Sequence, residues 1–288
     1  MKVLVTGSKG QLGYDVIKEL CFRGHEAFGF DLPELDITDE VAVRAVFDRV
    51  KPDAVIHCAA WTAVDAAEES GNIAKVFAVN EGGTRNLAAA CKRTGAKLLY
   101  LSTDYVFDGQ GSAPWGADET RYAPLNEYGK SKLAGENAVR ELLQAYFIVR
   151  IAWVFGKNGN NFVKTMLRLS ESHDTLRVVC DQVGTPTYTP DLARLLVDMI
   201  ETDKYGVYHA TNDGGFLSWY DFASAIMQEA GKHTKVIPVT TAEYGLSKAS
   251  RPFNSRLDKS KLKENGFEPL PDWRDALKRY LKEIGYAN

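Results

Sequence analysis

The 288 residues carry 35 basic and 38 acidic side chains, for a net charge of −3, with 45% hydrophobic and 25% charged content. That near-balance argues against a nucleic-acid or membrane-surface protein, while a local basic pocket for a charged ligand stays compatible with it. The length accommodates one large domain, or a core domain with a smaller companion.

Met1-Lys2 leads straight into Val3-Leu4-Val5, too short for the apolar part of a signal peptide. No apolar run approaches the ~18 residues of a spanning helix, so a soluble cytoplasmic protein is expected. Cys21, Cys58, Cys91 and Cys180 form no CxxC pair and stand near no histidine cluster. They read as small buried hydrophobes in a reducing compartment, and no metal site is expected.

Residues 2–6, KVLVT, read as a buried strand that enters the turn Gly7-Ser-Lys9-Gly10-Gln11-Leu12-Gly13. A strand, a glycine turn and a helix in that order is the context in which such glycines bind a dinucleotide. Gly7 allows the tight turn, Gly10 lets a pyrophosphate approach the backbone, and Gly13 lets the helix pack close to the sheet. The pyrophosphate would rest on the free amides of the helix N-terminus, around Gln11 and Leu12. The pattern predicts that helix over 14–23, ending at Gly24, then a second strand over 25–30 that closes on Asp31. A carboxylate about 20 positions past the glycines binds the adenosine ribose hydroxyls. Asp31 would repel a 2′-phosphate and favour NADH, whereas Lys9 could reach such a phosphate, so NADH and NADPH both stay open.

A helix follows over 41–50, then a strand over 54–58 that ends in Ala59-Ala60-Trp61-Thr62, where small residues let backbone pass close to a flat cofactor. Asp36 and Ile37 stand where a loop could touch the adenine. His57, inside an apolar run, reads as a core histidine. Residues 74–94 read as one long helix or a pair, and 97–101 as a further strand that delivers Ser102-Thr103-Asp104-Tyr105. Repeated strand, helix and strand imply a parallel sheet with right-handed crossovers and ligands at the carboxyl ends. The glycines, Asp31, Ala59-Ala60 and Ser102-Thr103 all fall on that edge.

Tyr128-Gly-Lys-Ser-Lys132 then places a phenol and an ammonium on one helical face. A cation beside a phenol stabilises the phenolate, and such a tyrosine can exchange a proton with a carbonyl or alcohol oxygen while hydride moves at the adjacent carbon. The glycine turn, the strand-end threonine and this pair resemble the extended short-chain dehydrogenase/reductase superfamily. Within it, Ser102-Thr-Asp-Tyr-Val-Phe107, Tyr128, Trp153, the run Gly159-Asn-Asn-Phe-Val-Lys-Thr-Met166, Asp181-Gln182 and Arg251-Pro252 closely resemble the dTDP-4-dehydrorhamnose reductase family over nearly the whole chain.

That resemblance implies an NADPH- or NADH-dependent reduction of C4 of dTDP-4-dehydro-L-rhamnose to give dTDP-L-rhamnose. Tyr128 would give the proton to the C4 oxygen. Lys132 would lower its pKa and hold the nicotinamide ribose, and Thr103, helped by Ser102, would bond the same oxygen. Asp104, Tyr105 and Trp153 would contact the deoxysugar nucleotide. A nucleotide diphosphate needs cations or amide donors, and Arg251, Arg256, Lys164 and Arg168 are the candidates, with the segment 251–257 preferred. A homodimer stays open, and a Mg²⁺ ion is not derivable from these residues. A dehydratase usually carries Asp-Glu after its threonine, where Asp104 here is followed by Tyr105. An epimerase retains its nicotinamide tightly. The non-catalytic regulatory subunit of methionine adenosyltransferase resembles the same family, so a binding protein is the alternative outside catalysis.

The expected fold is therefore α/β: a Rossmann-type doubly wound parallel sheet over 1–155, with a smaller, mainly substrate-binding region over 156–288. Segments of the second half are allowed to return to the sheet. In that half, 162–170 reads as a helix, 177–180 as a strand, Thr189-Pro190-Asp191 as a helix N-cap with proline at the first position, and 207–210 as a strand. Ser218 is expected to cap a helix over 219–230.

Overall fold

The computed structural model describes residues 1–286. Its central sheet is built from β1 Lys2–Thr6, β2 Glu26–Phe30, β3 Ala54–His57, β4 Lys97–Thr103 and β5 Tyr146–Ile151, with Gly206–His209 at the far edge. The strand order is Gly206–His209, β5, β4, β3, β1, β2, and every pairing is parallel. Val3 and Val5 pack on one face with Leu192 and Leu196, while Leu4 packs on the other with Val43, Phe47 and Leu87. That is the two-residue alternation of a strand covered by helices on both sides. The chain leaves β1 towards β2 on one flank and reaches β3 on the other, which opens a crevice at the carboxyl ends beside β1.

Of the helices, α1 Gln11–Phe22 begins earlier than the pattern predicts. Gly10 is its N-cap, so the whole GxxGxxG segment bends directly into helix. After α2 Glu40–Val50 and the short α3 Val64–Ala67, the segment expected as one helix or a pair is α4 Ile73–Phe77, a π-helical turn over Ala78–Gly83, and α5 Thr84–Thr94. The wide turn presents Asn80, whose side chain bonds both the amide and the carbonyl of Trp61 and donates to Ser131 Oγ at 2.9 Å. Such bulges cluster at functional sites. β4 runs on to Thr103, which pairs with Ile151. α6 Glu127–Leu142 carries Tyr128 and Lys132 and is capped by Asn126, which accepts from the Gly129 amide at 2.8 Å.

The second half has its own core, where Phe162–Ser170, Trp219–Glu229 and Trp273–Glu283 bury Phe155, Leu167, Phe222, Ile226, Leu277 and Tyr280. It does not stay apart from the first. Gly206–His209 extends the main sheet beside β5, and Thr189–Ile200 covers α1. Ser218 caps its helix through a capping box with Asp221. Thr189 departs from expectation: Tyr188 is the N-cap, and the Thr189 hydroxyl instead donates to Asp15 Oδ2 at 2.7 Å. Asp15 is buried in α1 and its carboxyl is raised by that burial, so it takes the nearest donor.

All four cysteines are free thiols, but of the four expected to be buried Cys91 alone is; Cys58 and Cys180 are half-buried and Cys21 is exposed on α1. His57 lies between Thr6 Oγ1 at 2.7 Å and Thr84 Oγ1 at 3.1 Å, and burial pushes it down to about 3, so it is a neutral core group. Among the described residues, no helix is long and apolar enough to cross a membrane.

Candidate active site

A cavity of about 720 Å³ opens along the carboxyl ends of β1 to β5. At one end lies the glycine turn. Gly7 has φ +65°, and a Cβ there would come within 2.7 Å of the Ala59 amide nitrogen, so only glycine lets β1 and β3 close up at this point. A Cβ on Gly13 would sit 2.1 Å from the Gly7 carbonyl oxygen, which fixes how tightly α1 folds back on the turn. No side chain caps α1. Its first amides are left for an anion, and Gly10, Gln11 and Leu12 line the cavity beside them.

Asp31 ends β2 with its carboxylate accepting from the Lys9 amide at 3.1 Å and the Leu32 amide at 2.9 Å. The Lys9 ammonium points away from the cavity wall, paired with Glu34 at 2.7 Å on the surface. Asp36, Ile37, Ala59 and Ala60 line the slot beside Asp31, together with Phe30, Leu32 and Leu35. Trp61 does not line it; its backbone is held by Asn80 and its indole donates to the Ala63 carbonyl. Slot, turn and free helix terminus together fit an adenine dinucleotide.

The other end carries polar chemistry. Thr103, Asp104, Tyr105, Tyr128 and Lys132 all line the cavity. Gly129 lets α6 approach the loop after β4, because a Cβ there would lie 2.4 Å from the Tyr105 carbonyl oxygen. The Tyr105 and Tyr128 rings meet edge to face at 5.7 Å. Lys132 is buried with its ammonium 4.1 Å above the Tyr100 ring. Burial drives it down to about 7 against the pull of Glu136.

Two expectations change here. Burial, reinforced by Asp104, raises the Tyr128 phenol, with Thr103 pulling the other way. A buried phenol is held protonated, as a proton donor must be at rest. Ser102, expected to help Thr103, has its hydroxyl committed to Glu136 Oε1 at 2.5 Å. Thr103 itself donates to Asp104 Oδ1 at 3.0 Å. Asp104 is almost fully buried, its carboxyl is raised to about 6 by that burial, and its Oδ2 makes no hydrogen bond. The Ser255 hydroxyl stands near enough to lower the carboxyl somewhat without bonding Oδ2.

Trp153 also lines the cavity, with φ +51°. The conformation costs energy for a side chain of this size. It is held there by the Thr187 amide donating to its carbonyl at 3.1 Å and by Trp219, stacked on it at 3.7 Å. Trp219, Phe162 and Phe222 complete an aromatic wall that sequence reasoning missed. The signal was Trp219 and Phe222 on one face of a capped helix, but nothing local ties that helix to Trp153.

The candidate diphosphate cations Arg251, Arg256, Lys164 and Arg168 lie outside the cavity lining. Among the described residues, Lys132 is the one cation in the cavity lining. Arg251 stands just outside, bonded to Asp65 Oδ2 at 2.6 Å and near the Tyr105 hydroxyl at 3.4 Å. Arg256 bonds Asn254, Lys164 is spent on the carbonyls of Lys157 and Gly159, and Arg168 is exposed on its helix. No group of three or more His, Cys, Asp or Glu that could hold a metal ion occurs among the described residues.

Comparison with known proteins gives a consistent picture. The model of the RmlD substrate binding domain family matches residues 1–286. The chain is 42% identical to the spore coat polysaccharide biosynthesis protein SpsK of Bacillus subtilis, covering 99% of each chain. It is 43% identical to a dTDP-4-dehydrorhamnose reductase of Aggregatibacter actinomycetemcomitans, covering 96% of this chain and 97% of that one. The crystal structure of dTDP-4-dehydrorhamnose reductase from Bacillus anthracis, in complex with NADP, superposes with a TM-score of 0.93 at 43% identity, covering 98% of this chain and 100% of that chain.

Proposed function

The chain belongs to the RmlD substrate binding domain family, and on that footing we propose that it is a dTDP-4-dehydrorhamnose reductase, which reduces C4 of dTDP-4-dehydro-L-rhamnose to give dTDP-L-rhamnose. The observation that supports this most is the meeting of Thr103, Tyr128 and Lys132 with the glycine turn in one cavity. The relatives named as reductases support the substrate.

When bound, the nicotinamide supplies hydride to the carbonyl carbon. The free amides at the start of α1 hold the diphosphate, Asp31 takes the adenosine ribose, and Lys132 holds the second ribose. Tyr128, kept protonated by burial, gives its proton to the C4 oxygen as the alcohol forms. Thr103 orients that oxygen. Asp104 Oδ2, buried without a partner, accepts from a sugar hydroxyl, which removes the penalty of leaving it unsatisfied. Trp153 packs against the apolar side of the sugar and excludes water.

NADPH and NADH both serve as cofactor, Asp31 favouring NADH and Lys9 able to meet a 2′-phosphate. The NADP complex of the Bacillus anthracis relative supports NADPH. The surface pair Lys9 and Glu34 is weak enough to exchange for a 2′-phosphate. The test is loss of reduced-nicotinamide absorbance with NADPH and NADH across several 4-keto-sugar nucleotides. Oxidation with dTDP-4-dehydro-L-rhamnose is expected. Absence of turnover, with tight binding to a partner enzyme instead, would favour the non-catalytic reading.

A further inference from the structure

We propose that Glu136 is a positioning residue for this reaction, a buried carboxylate that holds the proton-donor helix in register with the strands carrying Thr103 and Trp153. The inference rests on the reductase reading above. Tyr128, Lys132 and Glu136 follow one another at four-residue intervals, so they share one face of α6. Glu136 is fully buried. Its Oε1 accepts from Ser102 Oγ at 2.5 Å and Arg150 Nε at 2.8 Å. Its Oε2 accepts from Arg150 Nη2 at 2.8 Å and Arg140 Nη2 at 2.6 Å. Ser102 immediately precedes Thr103 in β4, and Arg150 lies in β5 just before the turn to Trp153. One side chain therefore ties together the three elements that deliver Tyr128, Thr103 and Trp153.

The charged and titratable groups around it come from every neighbouring element. On its own helix are Arg140 and Lys132. Arg150 comes from β5, and the Tyr100 ring of β4 lies under the Lys132 ammonium. The Tyr122 hydroxyl accepts from Arg150 at 2.8 Å and from Arg140 at 3.2 Å. His209, on the Gly206–His209 strand, faces Arg150 at 3.3 Å and is held neutral by burial. Cys58, just after β3, faces Lys132. Replacing a buried ion pair by apolar residues of the same volume is often neutral or stabilising. What apolar packing does not supply is fixed angular register, and four directed bonds to a single carboxylate supply it.

The experiment compares wild-type enzyme with Glu136→Gln and Ser102→Ala, using NADPH and dTDP-4-dehydro-L-rhamnose. Glu136→Gln keeps the shape and removes the charge. Its kcat is expected to fall by about tenfold to a hundredfold, the scale of a small misplacement of reacting groups, with KM for NADPH little changed. The high-pH limb of its activity profile is expected to move to lower pH, because Lys132 loses its anionic neighbour. Ser102→Ala breaks only the bond to β4 and should lower kcat several-fold with the profile unmoved. Should Glu136→Gln fail to fold, Ser102→Ala decides by itself, and an unchanged kcat overturns the proposal. Wild-type turnover in both variants, or lowered melting temperature with turnover per folded molecule unchanged, overturns it as well. A readout that needs no turnover is the ¹³C-lysine NMR titration of Lys132, assigned by its loss in Lys132→Met. That titration should move down in Glu136→Gln, and an unmoved one sinks the proposal. If the wild type reduces no keto-sugar, the reductase reading fails while this titration still judges Glu136.

Discussion

The Thr103 hydroxyl donates to Asp104 Oδ1 at 3.0 Å, which leaves the neighbouring Oδ2 of the same buried carboxylate without a donor. A buried charge-bearing oxygen with no partner costs about 1–3 kcal/mol or more, and a bound hydroxyl removes that cost. Asp104→Ala should therefore raise KM for the keto-sugar by about tenfold to a hundredfold, the range of a hydrogen bond to a charged group. KM for NADPH should stay near wild type. Steady-state kinetics with each substrate varied in turn checks this, and equal rises in both constants would count against it.

Tyr128→Phe removes the proton donor and little else, since the ring contact with Tyr105 survives. Turnover should drop by about 10² or more, the usual worth of a placed general acid. Cofactor affinity, measured by fluorescence titration, should hold. A variant as fast as wild type would remove Tyr128 from the chemistry.

Lys132 is pushed down to about 7 by burial, so it carries its proton below that pH and loses it above. Affinity for NADH, chosen because it lacks a 2′-phosphate that titrates in the same range, should weaken as pH rises through about 7. Lys132→Met should bind more weakly overall and show a flat profile. Isothermal titration across pH 6 to about 8.5, bracketing the shifted group, distinguishes the two.

Much of this site was legible because its parts sit at strand ends. A short apolar run that ends in glycine, aspartate, paired alanines or Ser-Thr reports both the strand and its carboxyl end, and residues of each of these groups line the cavity. What stayed hidden depends on contacts far apart in the chain. Glu136 meets Arg150 and Ser102 only after α6 docks on β4 and β5. Trp219 meets Trp153 only once the second core has formed. Lys9 illustrates a further limit: its place in the glycine turn is visible in the sequence, but its pairing with Glu34 is set by a side-chain direction that no spacing records.

That pairing carries its own prediction. Glu34→Gln frees the Lys9 ammonium and removes a negative charge near the ribose end of the slot. The ratio of kcat/KM for NADPH over NADH should rise about two- to fivefold, in line with the small worth of an exposed ion pair. Lys9→Ala should shift the ratio the other way. An unchanged ratio in both variants would place the 2′-phosphate elsewhere.

Gly129 offers a test of packing rather than chemistry. Gly129→Ala would press a methyl to within 2.4 Å of the Tyr105 carbonyl oxygen. Relief requires α6 to lift, at a cost of about 1–3 kcal/mol. Thermal denaturation should show a lower midpoint, together with reduced turnover because Tyr128 travels with the helix. A variant melting like wild type would mean the loop after β4 yields more easily than the helix.

The strand Gly206–His209 lies beside β5 although some fifty residues of the second core separate them in the chain. The polypeptide thus leaves the sheet, builds another body, and comes back to stitch the first one's rim before leaving again. A swing of the second half as one rigid body would have to break the hydrogen bonds that Gly206–His209 makes with β5.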